Sequence, residues 1–318
     1  IQKPVLFDGF TGIGVRGIRY AKESGIAKAV LCDANDDTIL YTRKNVALNK
    51  ASRKCKVIHS DVNQGLSNSP VFDVIELDPF GSPLPFLDSA FRRGKKKFIL
   101  SLTFTDLANL CGGHRDACKR YYNAQSIHCA FSHELAMRII LTRVARSAAM
   151  YDFGVTPLVS WYEGHYVKTM LLCEKSAKKA DANFEKNGYA WLCTNCSARG
   201  ITAAEFFQCQ CGGKVKLAGP IWVAPFSDKK IISSALKEAT SKKSSEKVEK
   251  FISLMFNELE TPLFYSLPEL CSRLKVHVPK LATFIEKIKQ SGFEATATHF
   301  SPDCFKTNAP INILIELL

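Results

Sequence analysis

The 318-residue chain has no apolar run approaching the length of a bilayer span, which excludes a membrane-spanning helix. It has no charged n-region and no apolar h-region at its start, so it carries no recognisable secretory signal. It opens on Ile1-Gln2-Lys3-Pro4 rather than on Met, only a few residues before the first strand, and is expected to be a fragment lacking its natural N-terminus. No internal repeat is present. The 12 cysteines have no regular disulfide-framework spacing, and the chain is too long for a small stapled scaffold. Reduced thiols inside a cell are the expectation: cytoplasmic in a prokaryote, nuclear or mitochondrial in a eukaryote. Acids are scarce, 30 Asp and Glu against 43 Lys and Arg, and the resulting +13 favours a polyanionic partner. Arg92-Arg93-Gly94-Lys95-Lys96-Lys97 and Lys242-Lys243 add to that charge, but a lysine run alone reads as a solvated face.

What is present is enough for more than one core. Hydrophobic content is 46%, and the length suits two or three domains. Val5–Asp8, Ala29–Asp33, Cys55–His59, Val74–Leu77 and Phe98–Leu102 read as strands separated by helical patterns, the signature of a parallel, doubly wound α/β sheet. Ser132 to Met150 reads as an amphipathic helix, with Leu158–Tyr162 and Tyr166–Leu172 as closing strands. The lysine-rich Glu174 to Gly188 reads as a boundary, and Asp228 to about Pro262 as one long charged helix. Helix, turn, helix and strand follow from Leu267 to Phe300, a winged-helix-like order. The expected domains are 1–175, 189–222 and 228–318.

Gly12-Ile13-Gly14-Val15-Arg16-Gly17 matches G-x-G-x-x-G between a strand and a helix, where glycines let backbone approach a ligand. Asp33 ends the next strand about twenty residues on, where an acid can take both ribose hydroxyls. Asp61, after the third strand, suits an adenine amine. The plain structural alternative is a set of turn residues and helix caps. A nicotinamide enzyme would cradle a pyrophosphate in the loop; a methyltransferase would hold the methionine part of S-adenosylmethionine there, with an acid such as Asp8 at its start.

The fourth strand decides between them. Val74-Ile75-Glu76-Leu77 stops on Asp78-Pro79-Phe80-Gly81-Ser82-Pro83. Proline has no N–H for the ladder, so the backbone must leave the sheet at Asp78 and display one acid and one aromatic on a stiff loop. A planar base can stack on Phe80 while Asp78 accepts a hydrogen from its exocyclic amine; alternatively the Asp is an N-cap. Amine methyltransferases carry an acid–Pro–Pro–aromatic motif at this position, and a dehydrogenase has no use for one.

Asp78–Pro83 with Phe86-Leu87-Asp88-Ser89-Ala90 resembles the signature of the tRNA (guanine(26)-N(2))-dimethyltransferase family. Gly14–Tyr20, Thr105–Gly112, His133-Glu134 with Arg138, Thr298–Pro302 and Lys306–Pro310 agree with it. The resemblance implies a Rossmann-like class I methyltransferase domain, a family-specific C-terminal domain, and transfer, expected twice, to N2 of guanosine 26 in tRNA. It places Arg16, Asp33, Asp61 and the Val62 backbone at the cofactor, beside Gly12 and Gly14 of the glycine loop, and Asp78 and Phe80 at the target base. The family's Asn-Arg-Asp-type segment before the first strand is absent here, so weak cofactor binding is expected. Two rivals remain: a non-catalytic RNA-binding protein keeping the fold, and another nucleobase amino-methyltransferase. No obligate protein partner is evident.

Cys193-Thr194-Asn195-Cys196 and Cys209-Gln210-Cys211 form two close pairs, the pattern of a structural zinc knuckle. Lys275, Lys280, Lys287, Lys289 and Lys306 interleave with Phe284, Phe293, His299 and Phe300, which suits phosphate contacts on a domain whose aromatics form its core.

Overall fold

A computed structural model describes residues 3–204 and 208–318; Ile1, Gln2 and Glu205–Phe207, the last three inside the expected 189–222 segment, lie outside the described residues. The chain divides into two compact units. The first comprises Ile1–Asp106, Val144–Leu158 and Lys168–Glu185, and the second Leu107–Arg143, Val159–Val167 and Lys186–Leu318. The expected first domain is therefore interrupted twice and runs past its expected end.

In the first unit β1 (Val5–Gly9), α1 (Val15–Glu23), β2 (Lys28–Asp33), α2 (Asp36–Leu48) and β3 (Cys55–His59) alternate. They are followed by α3 (Val62–Ser67), β4 (Phe72–Leu77), α4 (Leu87–Arg93) and β5 (Gly94–Phe104). Beyond α5 (Leu107–Leu110), α6 (Arg115–Tyr122) and α7 (Ser132–Ala149) come β6 (Phe153–Glu163), β7 (Tyr166–Lys175) and α8 (Ala177–Phe184). The sheet order is β3-β2-β1-β4-β5-β7-β6, with β1 to β5 parallel. The carboxyl ends of these five strands thus share one edge. The order reverses between β1 and β4, and in open α/β sheets the crevice at such a switch point is where ligands bind.

Helix α1 lies so close to β1 and β2 that only glycine fits at position 17. A Cβ there would stand 2.1 Å from Leu31 Cδ2 and 2.7 Å from Asp8 Oδ2. Gly17→Ala is expected to cost about 1–3 kcal/mol in urea unfolding through overpacking, and to displace Asp8.

The expected boundary at Glu174 to Gly188 holds the junction between the two units, which falls after Glu185, and also a short helix: Ser176 caps α8, and the buried Asn183 amide accepts from Val155 N (2.7 Å) and donates to its carbonyl (3.0 Å). The run Gly94–Lys97 is the start of β5, where Lys95 pairs with the buried Asp73 at 2.8 Å.

The second unit holds an antiparallel sheet of β8 (Asn187–Cys193), β9 (Arg199–Thr202) and β10 (Val215–Trp222), ordered β10-β8-β9. The expected long helix is two, α9 (Lys229–Ser241) and α10 (Glu246–Asn257). Lys242–Ser245 offers no apolar residue to a core, and Lys243 turns the chain with a φ of 51°. There follow β11 (Tyr265–Ser266), α11 (Leu267–Leu274), α12 (Leu281–Gln290), β12 (Ala295–Thr298), β13 (Ser301–Thr307) and α13 (Ile311–Glu316). Their strands pair in the order β11-β13-β12, around a core that includes Leu270, Phe284, Ile288 and Phe305. Among the described residues no helix is long and apolar enough to cross a membrane.

Candidate active site

The edge formed by the strand ends gathers the predicted residues of the first unit. Gly12 and Gly14 take positive φ (54° and 84°), and nothing lies within 4 Å of where a Gly12 Cβ would stand. The loop backbone is therefore open to a ligand. Asp33 Oδ2 accepts from Gly12 N (2.9 Å) and Oδ1 from Asn35 N (3.0 Å), which fixes the carboxylate against the loop. Each oxygen keeps acceptor capacity for a hydroxyl. Asp61 is exposed and caps α3, its Oδ1 accepting from Asn63 N (2.8 Å) and Gln64 N (3.3 Å). The Val62 side chain is buried, so only its backbone could face a ligand.

Arg16 does more than its sequence position suggested. Its guanidinium lies between two acids, donating to Asp8 Oδ1 from Nε (2.9 Å) and Nη2 (2.7 Å), and to Asp78 Oδ2 from Nη1. Burial pushes the Asp8 carboxyl up despite the pull of Arg16. Burial also works against the Asp78 carboxylate, but a hydrogen bond from Thr103, with Arg16 and Lys168 nearby, outweighs it and holds Asp78 below the usual range.

Asp78 sits just past β4, and the loop after it is pinned rather than loose. Gly81 N donates to Thr105 Oγ1 (2.6 Å) and Thr105 N returns a bond to the Gly81 carbonyl (2.9 Å). Pro79 is buried, and the neighbouring Phe80 ring is wholly exposed at 106% of its reference area. An exposed aromatic on a fixed loop offers a stacking face that the fold itself does not use.

Sequence reasoning missed the buried polar residues under this loop. Glu76 (1% exposed) receives Lys168 Nζ, which also donates to Thr103 Oγ1 at 2.8 Å. The available signal was parity: Glu76 and Asp78 are two residues apart and share a face of β4. Cys111 and Cys118 show no nucleophile's environment. Cys118 is wholly buried, and burial pushes the Cys111 thiol up to about 11.

In the second unit the four predicted cysteines come together. Their sulfurs all lie within 4.8 Å of one another, with Cys193–Cys211 at 3.5 Å and Cys196–Cys209 at 3.8 Å. Four Zn–S bonds of about 2.3 Å at tetrahedral angles place sulfurs roughly 3.8 Å apart, so the cluster fits zinc. Asn195 N and Cys196 N point at Cys193 Sγ (3.4 and 3.5 Å). A Cβ at Gly213 would stand 2.9 Å from that sulfur, so the knuckle turn needs glycine. Four thiolates close the coordination shell and leave no position for substrate.

Several signature residues of the second unit meet in a buried ion network. Glu134 Oε1 accepts from Arg138 Nη2 (2.8 Å) and Leu263 N (3.0 Å). Lys306 reaches Glu134 (3.4 Å) and Glu258 (3.0 Å), and His299 Nδ1 lies 2.6 Å from Glu258 Oε2. Lys306 is only 2% exposed, which corrects the expectation that it sits among phosphate-contacting lysines. Lys275, Lys280, Lys287 and Lys289 are exposed, whereas Phe284 and Phe300 are buried in the core.

Comparison with known proteins follows the same lines. The sequence matches the family model of N2,N2-dimethylguanosine tRNA methyltransferases over residues 2–318. A tRNA (guanine(26)-N(2))-dimethyltransferase of Pyrococcus horikoshii is 34% identical over 335 residues, covering 100% of this chain and 87% of that protein. Its counterpart in Thermococcus kodakarensis is 33% identical over 329 residues, covering 98% and 86%. The structure of Trm1 from Pyrococcus horikoshii in complex with S-adenosyl-L-methionine is similar at a TM-score of 0.89 and 34% identity, covering 99% of this chain and 88% of that one.

Proposed function

The chain belongs to the N2,N2-dimethylguanosine tRNA methyltransferase family, and on that premise we propose that it methylates N2 of guanosine 26 in tRNA, twice at full turnover. The observation that carries the reading is the shared edge of the sheet, where the Asp78-Pro79-Phe80 loop stands beside the glycine loop and Asp33. S-adenosylmethionine supplies an electrophilic methyl when bound; Gly12, Gly14, Arg16, Asp33, Asp61 and the Val62 backbone would hold it. The chain's own task is the nucleophile. The N2 lone pair is delocalised into the guanine ring, so the amine is weak and must be oriented. Asp78 accepts an N2–H and turns the remaining lone pair towards the methyl, while Phe80 stacks on a base drawn out of its own stack. Transfer is direct, with no covalent enzyme intermediate, and positioning carries most of the acceleration. A tRNA substrate places the enzyme inside a cell. Zinc held by Cys193, Cys196, Cys209 and Cys211 is structural.

Mass spectrometry of nucleosides from unmodified tRNA incubated with the protein and S-adenosylmethionine tests the reading. N2-methylguanosine followed by N2,N2-dimethylguanosine is expected. Bound tRNA with no methylated guanosine would favour the RNA-binding rival. Methyl on adenine or cytosine amines would favour the other amino-methyltransferase. Phe80→Ala is expected to lower kcat/KM roughly 5- to 150-fold, the equivalent of about 1–3 kcal/mol of stacking, without moving the melting temperature.

A further inference from the structure

Buried beneath the Asp78 loop, all within the first unit, lies a chain of side chains that the proposed chemistry leaves unexplained. Glu76 lies on β4 and Asp78 just past its end, two residues on; Thr103 lies on the neighbouring β5, and Lys168 comes from β7 beyond it. Lys168 Nζ is 2.8 Å from Thr103 Oγ1 and is neutralised by Glu76, whose other oxygen, Oε2, makes no hydrogen bond among the described residues. Thr103 is 6% exposed and the Lys168 side chain 12%. An ammonium has donors and no acceptor. The Thr103 oxygen must therefore accept from Lys168, and its single proton is free to be given onwards. Leu77 of β4 pairs with Leu102 of β5, so the next residues, Asp78 and Thr103, stand level on adjacent strands, and the donor order runs one way, from Lys168 through Thr103 towards the carboxylate.

Accepting the reading of Asp78 as the group that takes N2–H, we infer that Thr103 and Lys168 are positioning residues. The directed Lys168–Thr103 pair fixes the Asp78 carboxylate as an acceptor and keeps it from turning away when the base arrives. Arg16, on α1, pairs with the same carboxylate. A buried lysine–glutamate pair is a poor way to gain stability, because apolar residues of similar volume serve as well or better. Its aim at Asp78 gives it a use.

The role has a pH signature. The charged and titratable groups around Asp78 are Arg16 and Tyr20 on α1, Asp8 on β1, Glu76 on β4 and Lys168 on β7. Net stabilisation of the ionised form lowers the Asp78 pKa, so activity should persist to acid pH and fall only as Asp78 protonates. Loss of the Thr103 hydroxyl raises that pKa and moves the acid limb of the profile to higher pH.

The experiment measures kcat against pH, from about pH 5 to about pH 9, at saturating S-adenosylmethionine and tRNA. The proteins are the wild type, Thr103→Val, Thr103→Ser and Asp78→Asn. Thr103→Val keeps shape and removes only the hydroxyl; it should lower kcat roughly 10- to 100-fold and shift the acid limb upwards, with cofactor affinity unchanged. Thr103→Ser should restore both. The paired change Glu76→Gln with Lys168→Met, which leaves no lone buried charge, should shift the limb in the same direction. A Thr103→Val enzyme with wild-type kcat and limb, beside an inactive Asp78→Asn, would overturn this inference and leave the reading of Asp78 standing. Loss of activity in Thr103→Val with an unmoved limb and no rescue by serine would also overturn it. A fully active Asp78→Asn would instead remove the reading on which the inference rests.

Discussion

Asp78→Asn is expected to lower methyl transfer by about 100-fold or more at saturating cofactor and tRNA, within the range for loss of a positioned acid–base group. The amide is nearly isosteric, so the loop and its ties to Thr105 should survive. What changes is acceptor capacity. A carboxylate has two oxygens, and Thr103 and Arg16 already draw on it. The asparagine side chain offers one oxygen for those donors and turns a donor NH2 towards an amine that itself donates. Quantification of both methylated guanosines by mass spectrometry checks this, since the two transfers need the same orientation and should fall together. Unimpaired transfer in Asp78→Asn would exclude the assigned role.

The second large effect concerns the knuckle. Protein purified without added zinc is expected to carry about one zinc per chain, and Cys193→Ser to lose it. Structural zinc sites in small peptides bind with apparent free energies of about 10–16 kcal/mol at neutral pH, and that binding is folding energy. None of the four residues of β9 is buried, so loss of zinc should unfold this region before the rest. A thermal melt with an early transition, or strong protection loss at 187–222 in hydrogen exchange, is the expected readout. A zinc ratio well below one per chain, or a Cys193→Ser protein with an unchanged melt, would count against the site. Arg273 should transmit part of the damage, because its guanidinium donates to Ser197 Oγ and the Asn195 carbonyl within the knuckle.

The sheet's first four strands were legible because each apolar run ends at a break in the pattern: Gly9, Asp33, His59 or Asp78. The glycine loop, Asp33 and Asp78 could be placed at strand ends for the same reason. The polar support beneath them was not legible. Glu76 sits in a run that otherwise reads as a buried strand, and Thr103 lies one residue beyond the expected end of the fifth strand, which continues to Phe104. Lys168 is distant in sequence from both, and periodicity does not say that β7 lies next to β5. Strand order is a tertiary fact. The cysteine spacing, in contrast, is local, and local geometry suffices to bring four sulfurs together. Polar stretches were only partly legible: Glu174–Gly188 holds the unit junction but also a capped helix, while Asp228–Pro262 contains a break that charge alone did not reveal.

The pairing of Asp8 opposite Glu76 in β1 and β4 has a consequence for how the sheet assembles. Two acids facing each other at a buried position repel, and they are tolerable only because Arg16 and Lys168 reach the same face. If β4 slipped one residue against β1, Glu76 and Asp78 would turn to the opposite face, where neither cation can follow. The buried Glu76 would then be stranded without a partner, at a cost of several kcal/mol. The residues proposed to serve methyl transfer would therefore also reject misaligned sheets during folding, and neutralising them should loosen strand alignment as well as activity.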